Sequence, residues 1–195
     1  MLEWEKRISE KFVKDNVVSV EDKEIIEYGL WQGKILIMNL GIFLSLCTIF
    51  DAILQGILFL AMFWPLRIYA GGYHATTQKK CFLLSIGMEL MLCAAMRYIV
   101  FDRVFAFILA VISFTVVIKI APLENIHKPF DKEEKRVFRN MIKKIWLVEA
   151  CVFLATYYLE YRKIFEVVIW VQLLMALLLI VEYLKQKNTI TGYAD

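Results

Sequence analysis

The sequence contains few of the residues that build metal and nucleotide sites. Histidine occurs twice and cysteine four times in 195 residues, and no His-Glu-x-x-His run is present. A catalytic zinc ion needs three protein ligands brought together, so a metalloprotease site is not expected. A Gly-x-x-x-x-Gly-Lys-Ser/Thr run is also absent, which excludes a P-loop nucleotide site. We therefore predict a chemistry that uses neither a metal nor another cofactor.

Signal-peptide features and helix-breaking prolines are equally scarce. Residues 1–32 are rich in both charges and contain no apolar core, whereas a signal peptide needs one of about 7–15 residues. We expect the first spanning segment itself to direct the chain to the membrane. Pro65, Pro122 and Pro129 fall at block ends or in a loop, which argues against the broken helices typical of transporters.

Apolar residues dominate the chain and occur in long blocks. They make up 60% of the residues, the mean hydropathy is +0.59, and an average soluble domain is only about 45–50% apolar. Six blocks of 15 or 16 residues contain at most one charge each, and a spanning helix needs roughly 17–25 residues with its interfacial anchors. The sequence predicts an all-α polytopic membrane protein with about six transmembrane helices. Four crossings plus re-entrant elements are the alternative, because the turn at Asp51 is very tight. The blocks are Ile35–Phe50, Ala52–Leu66, Cys81–Met96, Val104–Ile118, Ile145–Leu159 and Val167–Val181.

The remaining segments predict one membrane domain, 1–195, and its orientation. Residues 1–33 have the pattern of N-terminal amphipathic surface helices, 34–184 form the transmembrane part, and 185–195 are a polar tail. With a cytoplasmic N-terminus, all but four of the 23 Lys and Arg residues fall in cytoplasmic segments. Basic residues favour the cytoplasmic side, so this orientation is the predicted one.

The best candidate for a catalytic pair is His74, within the polar segment 67–80, with Cys81 directly after that segment. Thr77 is positioned to cap the helix that begins there. The positive end of a helix favours the thiolate, the reactive form of cysteine, and His74 can act as the base. On one straight helix the two residues would be ~10.5 Å apart along the axis. The pair therefore requires a bend between them.

Neighbouring residues are candidates for supporting roles. Ser85 lies one turn after Cys81 on the same helix face, where its hydroxyl can stabilise the thiolate or the developing oxyanion. Arg67 and the Gly72 amide are further candidate donors to an oxyanion. The alternative is that His74 is an ordinary polar residue on the surface and Cys81 a packing residue. The spacing alone does not decide between this alternative and a catalytic pair.

Other reactive side chains lie within the apolar blocks. Glu89 and Glu149 are intramembrane carboxylates and so functional candidates, although a buried structural pair is the preferred explanation for each. Unpaired cysteines in apolar surroundings behave as small hydrophobic residues. We therefore expect three of the four to be inert: Cys47, Cys93 and Cys151.

Two stretches resemble the accessory gene regulator B (AgrB) family of bacterial membrane endopeptidases. The first is Arg67-x-x-Ala70-Gly71-Gly72-x-His74-Ala75, followed by Cys81 and Ser85. The second, softer one is Ala121-Pro122-x-x-Asn125-x-x-Lys128-Pro129. The order of the two stretches, the length and the helix number also agree, so the resemblance covers most of the chain.

The resemblance implies a function and a set of partners. Family members process a precursor peptide into a cyclic thiolactone or lactone quorum-sensing signal at the bacterial cell membrane. By resemblance, His74 is the general base, Cys81 is the nucleophile of a cysteine endopeptidase facing the cytoplasm, and the reaction passes through an acyl-enzyme thioester. The expected partners are an AgrD-like precursor peptide and membrane lipid, with a homodimer left open and nucleic acid excluded.

The basic loop 119–144 has two interpretations. It can capture an acidic tail of the precursor, or it can anchor the protein on anionic lipid. The rival to the whole enzymatic interpretation is a non-enzymatic membrane transporter or scaffold subunit. The candidates for substrate binding are Lys128, Lys132, Lys135, Arg136 and Arg139.

Overall fold

Helices are the only regular secondary structure in the described part of the chain, as predicted. A computed structural model describes residues 3–15, 18–19, 21–73, 77–124 and 130–191. Within these residues there are seven α-helices and no strand. The helices are α1 (Glu3–Lys14), α2 (Lys23–Ile49), α3 (Ile53–Ala70), α4 (Gln78–Tyr98), α5 (Arg103–Ile120), α6 (Lys132–Tyr158) and α7 (Arg162–Thr191).

Five helices of the described chain are long and apolar enough to cross a membrane, and they confirm the polytopic all-α class. They are α2, α3, α5, most of α4 and most of α7. The sixth predicted block forms the second half of α6, whose first half is strongly charged. Lys143, Lys144 and Glu149 lie in or beside that block, so α6 is less apolar than the other five.

The N-terminal segment differs from the expectation in its second half. Residues 23–33 do not form a separate surface helix but are the first turns of α2, which runs unbroken into the first apolar block. Ser9 of α1 donates a hydrogen bond of 2.7 Å to Glu27, and Lys23 lies 3.3 Å from Glu10. These polar contacts hold α1 against the beginning of α2.

Pro65 lies inside α3 rather than at its end. The helix continues from this residue to Ala70. Membrane helices tolerate an internal proline because neighbouring groups can satisfy the carbonyl that it leaves without a donor. The position of Pro65 therefore no longer argues against a broken-helix transporter, and that alternative must be tested by function.

Helix α7 is the centre of the bundle. It packs against α3, α5 and α6, and 56% of its most apolar window is buried. The other spanning helices leave more apolar surface at the periphery, where lipid replaces a protein neighbour. Residues in the C-terminal half of α7 form hydrogen bonds with the loops after α3 and α5, which contain the two family-like stretches. Helix α7 therefore fixes the positions of these loops.

Candidate functional site

A cavity of about 790 Å³ lies between α2, α3, α4 and α7. This volume is within the range of about 300–1,000 Å³ that is typical of ligand sites. Its walls are largely aliphatic and aromatic, and a few polar side chains interrupt them. Apart from tryptophans, the polar lining residues are Tyr28, Gln32, Asn39, Arg67, Tyr73, Cys81, Ser85 and Glu89.

Cys81 is at the beginning of α4, as predicted. The helix starts at Gln78 after Thr77, whose side chain accepts a hydrogen bond from the Lys80 N–H. The Cys81 N–H donates to the Thr77 carbonyl at 2.9 Å, which closes the first turn. Its half-buried side chain lines the cavity. The sulfur therefore combines a helix N-terminus with access to a binding space.

Ser85 and Glu89 extend the same face of α4 into the cavity. The intervals of four residues place all three side chains on one side of the helix, and all three line the cavity. The sequence predicted this relation for Ser85 and Cys81. Glu89 continues the same spacing, but the sequence did not indicate that this face lines a cavity, because the face that a membrane helix turns to its neighbours cannot be read from an almost uniformly apolar block.

Arg67 holds the loop that leads away from α3. Its guanidinium donates to the carbonyl of Gly71 and, at 2.9 Å, to the carbonyl of Tyr73. Arg67 and Cys81 both line the cavity. Two terminal donors of Arg67 are thus committed to the backbone of this loop, which favours a positioning role for Arg67 over a direct oxyanion contact.

The two glycines of this loop are required by its geometry. Gly71 has φ +75° and Gly72 has φ +121°, in the region that L side chains rarely adopt. A Cβ on Gly72 would lie 2.5 Å from Nη1 of Arg67, and one on Gly71 would lie 2.6 Å from the Leu123 carbonyl oxygen. The Gly-Gly pair therefore lets the backbone turn closely around the arginine.

Backbone hydrogen bonds connect this loop to the second family-like stretch and to α7. The Leu123 N–H donates to the Ala70 carbonyl at 3.0 Å, and the Tyr73 N–H donates to the Leu178 carbonyl at 3.2 Å. Arg139 of α6 donates to the Ala121 carbonyl. The two stretches, about fifty residues apart in the sequence, therefore form one assembly at the same end of the bundle.

His74 and Lys128 lie outside the described residues. Tyr73, which precedes His74, lines the cavity, and Thr77 begins the turn into α4 on the other side. Tyr73 and Cys81 thus line one cavity, and Thr77 is hydrogen-bonded to Cys81. The proposed partnership between His74 and Cys81 stays a prediction.

The other cysteines occupy different environments. Cys47 and Cys93 are fully buried, with their sulfurs 3.3 Å apart, and the absence of a side chain at Gly56 makes room for Cys47. This packing role matches the expectation. Cys151 does not follow it, because its side chain is on the exposed surface of α6.

The basic candidates at the beginning of α6 lie away from the cavity and divide into two groups. Lys135 forms an ion pair with Glu124 and holds the pKa of that carboxyl below its usual range, while Arg139 binds the Ala121 carbonyl. Lys132 and Arg136 are exposed, and Arg136 has a loose contact of 3.8 Å with Glu133. The second group is accessible to a ligand.

The two intramembrane glutamates also differ. Glu149 accepts a hydrogen bond from Gln172 on α7, and both residues are buried, in agreement with the structural alternative. Glu89 instead faces the cavity. Among the described residues, no group of three His, Cys, Asp or Glu side chains could hold a metal ion.

Comparison with known proteins assigns the chain to a family. The sequence profile of accessory gene regulator B matches residues 5–180. AgrB-like protein 2 of Clostridium perfringens strain 13 is 26% identical over 147 residues, which cover 71% of this chain and 69% of that protein. An AgrB-like protein of C. perfringens strain SM101 is 28% identical over 148 residues, with the same two shares. No solved structure matches. Because the profile match extends over most of its length, the chain belongs to the accessory gene regulator B family.

Proposed function

We propose that this chain is a membrane cysteine endopeptidase that cleaves an AgrD-like precursor peptide and closes its signal segment into a thiolactone or lactone ring. Membership of the AgrB family supports a role in the agr quorum-sensing system. The observation that carries the chemical proposal is Cys81, which combines a helix N-terminus with the wall of a large apolar cavity. Arg67 and Tyr73 of the preceding loop line the same cavity.

The first step forms an acyl-enzyme. The Cys81 thiolate attacks the carbonyl carbon at the junction between the signal segment and the C-terminal tail. His74, which has taken the thiol proton, passes it to the leaving amine as the C–N bond breaks. The tail departs, and the signal segment remains attached to Cys81 as a thioester.

The second step closes the ring without an external energy source. A thiol or hydroxyl of the precursor attacks the thioester carbon, and its proton returns through His74 to the Cys81 sulfur as the C–S bond breaks. Ring closure exchanges the enzyme thioester for another thioester or for an ester, so this step requires no nucleotide hydrolysis, and departure of the tail draws the preceding cleavage forward. The apolar cavity walls support this step because they limit competition from water.

The basic surface of α6 is a proposed contact for the precursor's acidic tail. Lys132 and Arg136 are exposed and available for it, and Lys128 remains a further candidate. Lys135 and Arg139 instead position the loop through Glu124 and Ala121. Anionic lipid is the alternative ligand of the same surface, and both would be weakened by salt.

One experiment separates the enzyme from the transporter or scaffold alternative and also tests its orientation. The AgrD-like precursor from the same genome is added, without ATP, to right-side-out and to inverted membrane vesicles that contain the full chain. Because the positive-inside pattern favours the cytoplasmic side for the site, we expect tail release with inverted vesicles only. Mass spectrometry of the supernatant measures it. Release with neither preparation contradicts peptidase activity, and release with right-side-out vesicles alone contradicts the orientation.

A further inference from the structure

Tyr73, which directly precedes His74 in the sequence, is held by three contacts. Its N–H donates to the Leu178 carbonyl of α7 at 3.2 Å, and its carbonyl accepts a hydrogen bond from Arg67 at 2.9 Å. Its ring centroid lies 5.2 Å from the ammonium nitrogen of Lys185, which is also on α7. The first two contacts hold the backbone, and the contact with Lys185 is the one of the three that depends on the aromatic side chain.

The geometry between Lys185 and Tyr73 is that of a cation–π contact. An ammonium group within about 6 Å of a ring centroid is attracted by the negative face of the ring, and the attraction grows as the cation loses water. The Lys185 side chain is 40% exposed, and Tyr73 is half-buried in the wall of the cavity. The contact therefore restrains a side chain of the candidate site.

A carboxylate of the same helix holds Lys185 in this arrangement. Glu182, whose side chain is 14% exposed, lies 3.6 Å from the Lys185 ammonium nitrogen. It also accepts a hydrogen bond of 3.2 Å from Gln186, which in turn donates to the Glu124 carbonyl at 2.7 Å. A lysine that only anchors a helix at the membrane surface extends its ammonium group into water, whereas Lys185 is directed to a loop residue and a carboxylate.

We propose that Lys185 is a positioning residue that holds the loop between α3 and His74 in place through the Tyr73 ring. The inference rests on the proposed function, because it assumes that His74 is the base for Cys81. Neighbouring Cα atoms are only 3.8 Å apart, so a displacement of Tyr73 also moves the backbone of His74. Since a misplacement of about 1 Å can cost on the order of 100-fold in rate, a contact that fixes Tyr73 affects turnover without touching the substrate.

Two other roles of Lys185 predict different measurements. A lysine that binds an acidic part of the precursor contributes to substrate binding, so its removal raises KM and leaves kcat unchanged. A lysine that only supports the fold lowers the melting temperature when it is removed. Positioning instead lowers kcat and kcat/KM together.

The test measures kcat and KM of tail release with the full chain in inverted vesicles. Lys185→Met removes the charge and keeps an unbranched apolar side chain, and Tyr73→Leu removes the ring. We expect each to lower kcat about tenfold, the size of a partly desolvated cation–π contact, and Lys185→Met to leave KM within about twofold of the wild type. The double variant should be no worse than either single variant, because both remove the same contact. Lys185→Arg and Tyr73→Phe keep a cation and a ring, so they should retain most of the wild-type kcat.

Matched controls are available on α7 itself. Lys163→Met removes an exposed lysine at the other end of the helix, and Tyr183→Leu removes a ring that is 50% exposed. Both should keep kcat and KM near the wild-type values. A thermal melt of each variant accompanies the kinetics, and Lys185→Met should melt close to the wild-type temperature.

Several results would overturn the positioning role. A rise in KM with kcat intact in Lys185→Met would identify a substrate contact, and a parallel fall of kcat and melting temperature would assign Lys185 to the fold. Additive losses in the double variant, or a Lys185→Arg variant as slow as Lys185→Met, would show that the contact with Tyr73 is not the cause. An unchanged kcat in Lys185→Met, with tail release still dependent on Cys81, would overturn the inference and leave the peptidase intact. Tail release that does not need Cys81 would instead remove the proposed function itself.

Discussion

Replacing Cys81 with alanine is expected to lower tail release by on the order of 10⁴-fold or more, because the variant loses the nucleophile itself. The alanine side chain fits the space of the half-buried thiol, and the Thr77 cap and the first turn of α4 do not depend on the sulfur. Expression and melting temperature should therefore stay close to those of the wild type. The measurement is the initial rate of tail release in inverted vesicles at saturating precursor.

The other three cysteines provide matched controls for this substitution. Cys151→Ala changes an exposed side chain, and Cys47→Ala and Cys93→Ala remove buried sulfurs outside the cavity lining. The buried variants can lose some stability through a small cavity, but the activity of the folded fraction should be retained. His74→Ala should add little to Cys81→Ala, since residues that act as one unit are not additive. Normal tail release by Cys81→Ala would sink the cysteine-peptidase mechanism.

Arg67→Ala is expected to lower kcat by about 100-fold with a much smaller change in KM, because a displacement of catalytic groups by about 1 Å costs that much. The substitution removes the donors that hold the Gly71 and Tyr73 carbonyls. The loop then loses the contacts that hold its backbone between Gly71 and Tyr73. Arg67→Lys should recover little, since a single ammonium cannot reproduce the planar, two-pronged arrangement of a guanidinium.

Arg97→Ala is the matched control for Arg67. Arg97 lies in the last turn of α4, at the opposite end from Cys81, where it pairs with the exposed Asp51 at 3.2 Å. Exposed ion pairs contribute only about 0–1 kcal/mol. Its removal should leave kcat and KM near the wild-type values. Full activity of a correctly folded Arg67→Ala variant would show that the loop needs no such anchor. A large rise in KM with kcat intact would point to a substrate contact instead.

The fold class followed from the sequence because the spanning segments are a matter of composition. Blocks of apolar residues identify membrane helices without any knowledge of their neighbours. The boundaries were harder. The first surface turns merged with the first span in α2, since no proline separates them, and Pro65 remained inside α3 because the surroundings of a membrane helix decide whether its backbone can continue.

In the candidate site, some features depend on neighbouring residues in the sequence and others on residues far away in it. The position of Cys81 after the Thr77 cap follows from a few neighbouring residues and could be predicted. The hydrogen bonds of Arg67 to Gly71 and Tyr73 depend on a loop that is itself held by Leu123 and Leu178. These two residues are far from the loop in the sequence, so the arrangement could not be predicted. Asn39 gave no signal at all, because one amide in an apolar block is not distinguishable from a lipid-facing or packing residue until the helices are assembled.

Trapping the acyl-enzyme tests the central claim most directly. A precursor whose internal Cys or Ser is replaced by alanine can acylate Cys81 but cannot close the ring, so the thioester should persist until water attacks it. Intact-protein mass spectrometry should show an added mass equal to the signal segment, and peptide mapping should place it on Cys81. Cys81→Ala treated in parallel should show neither adduct nor tail. Tail release without any adduct, at the same rate in the wild type and in Cys81→Ala, would contradict the account.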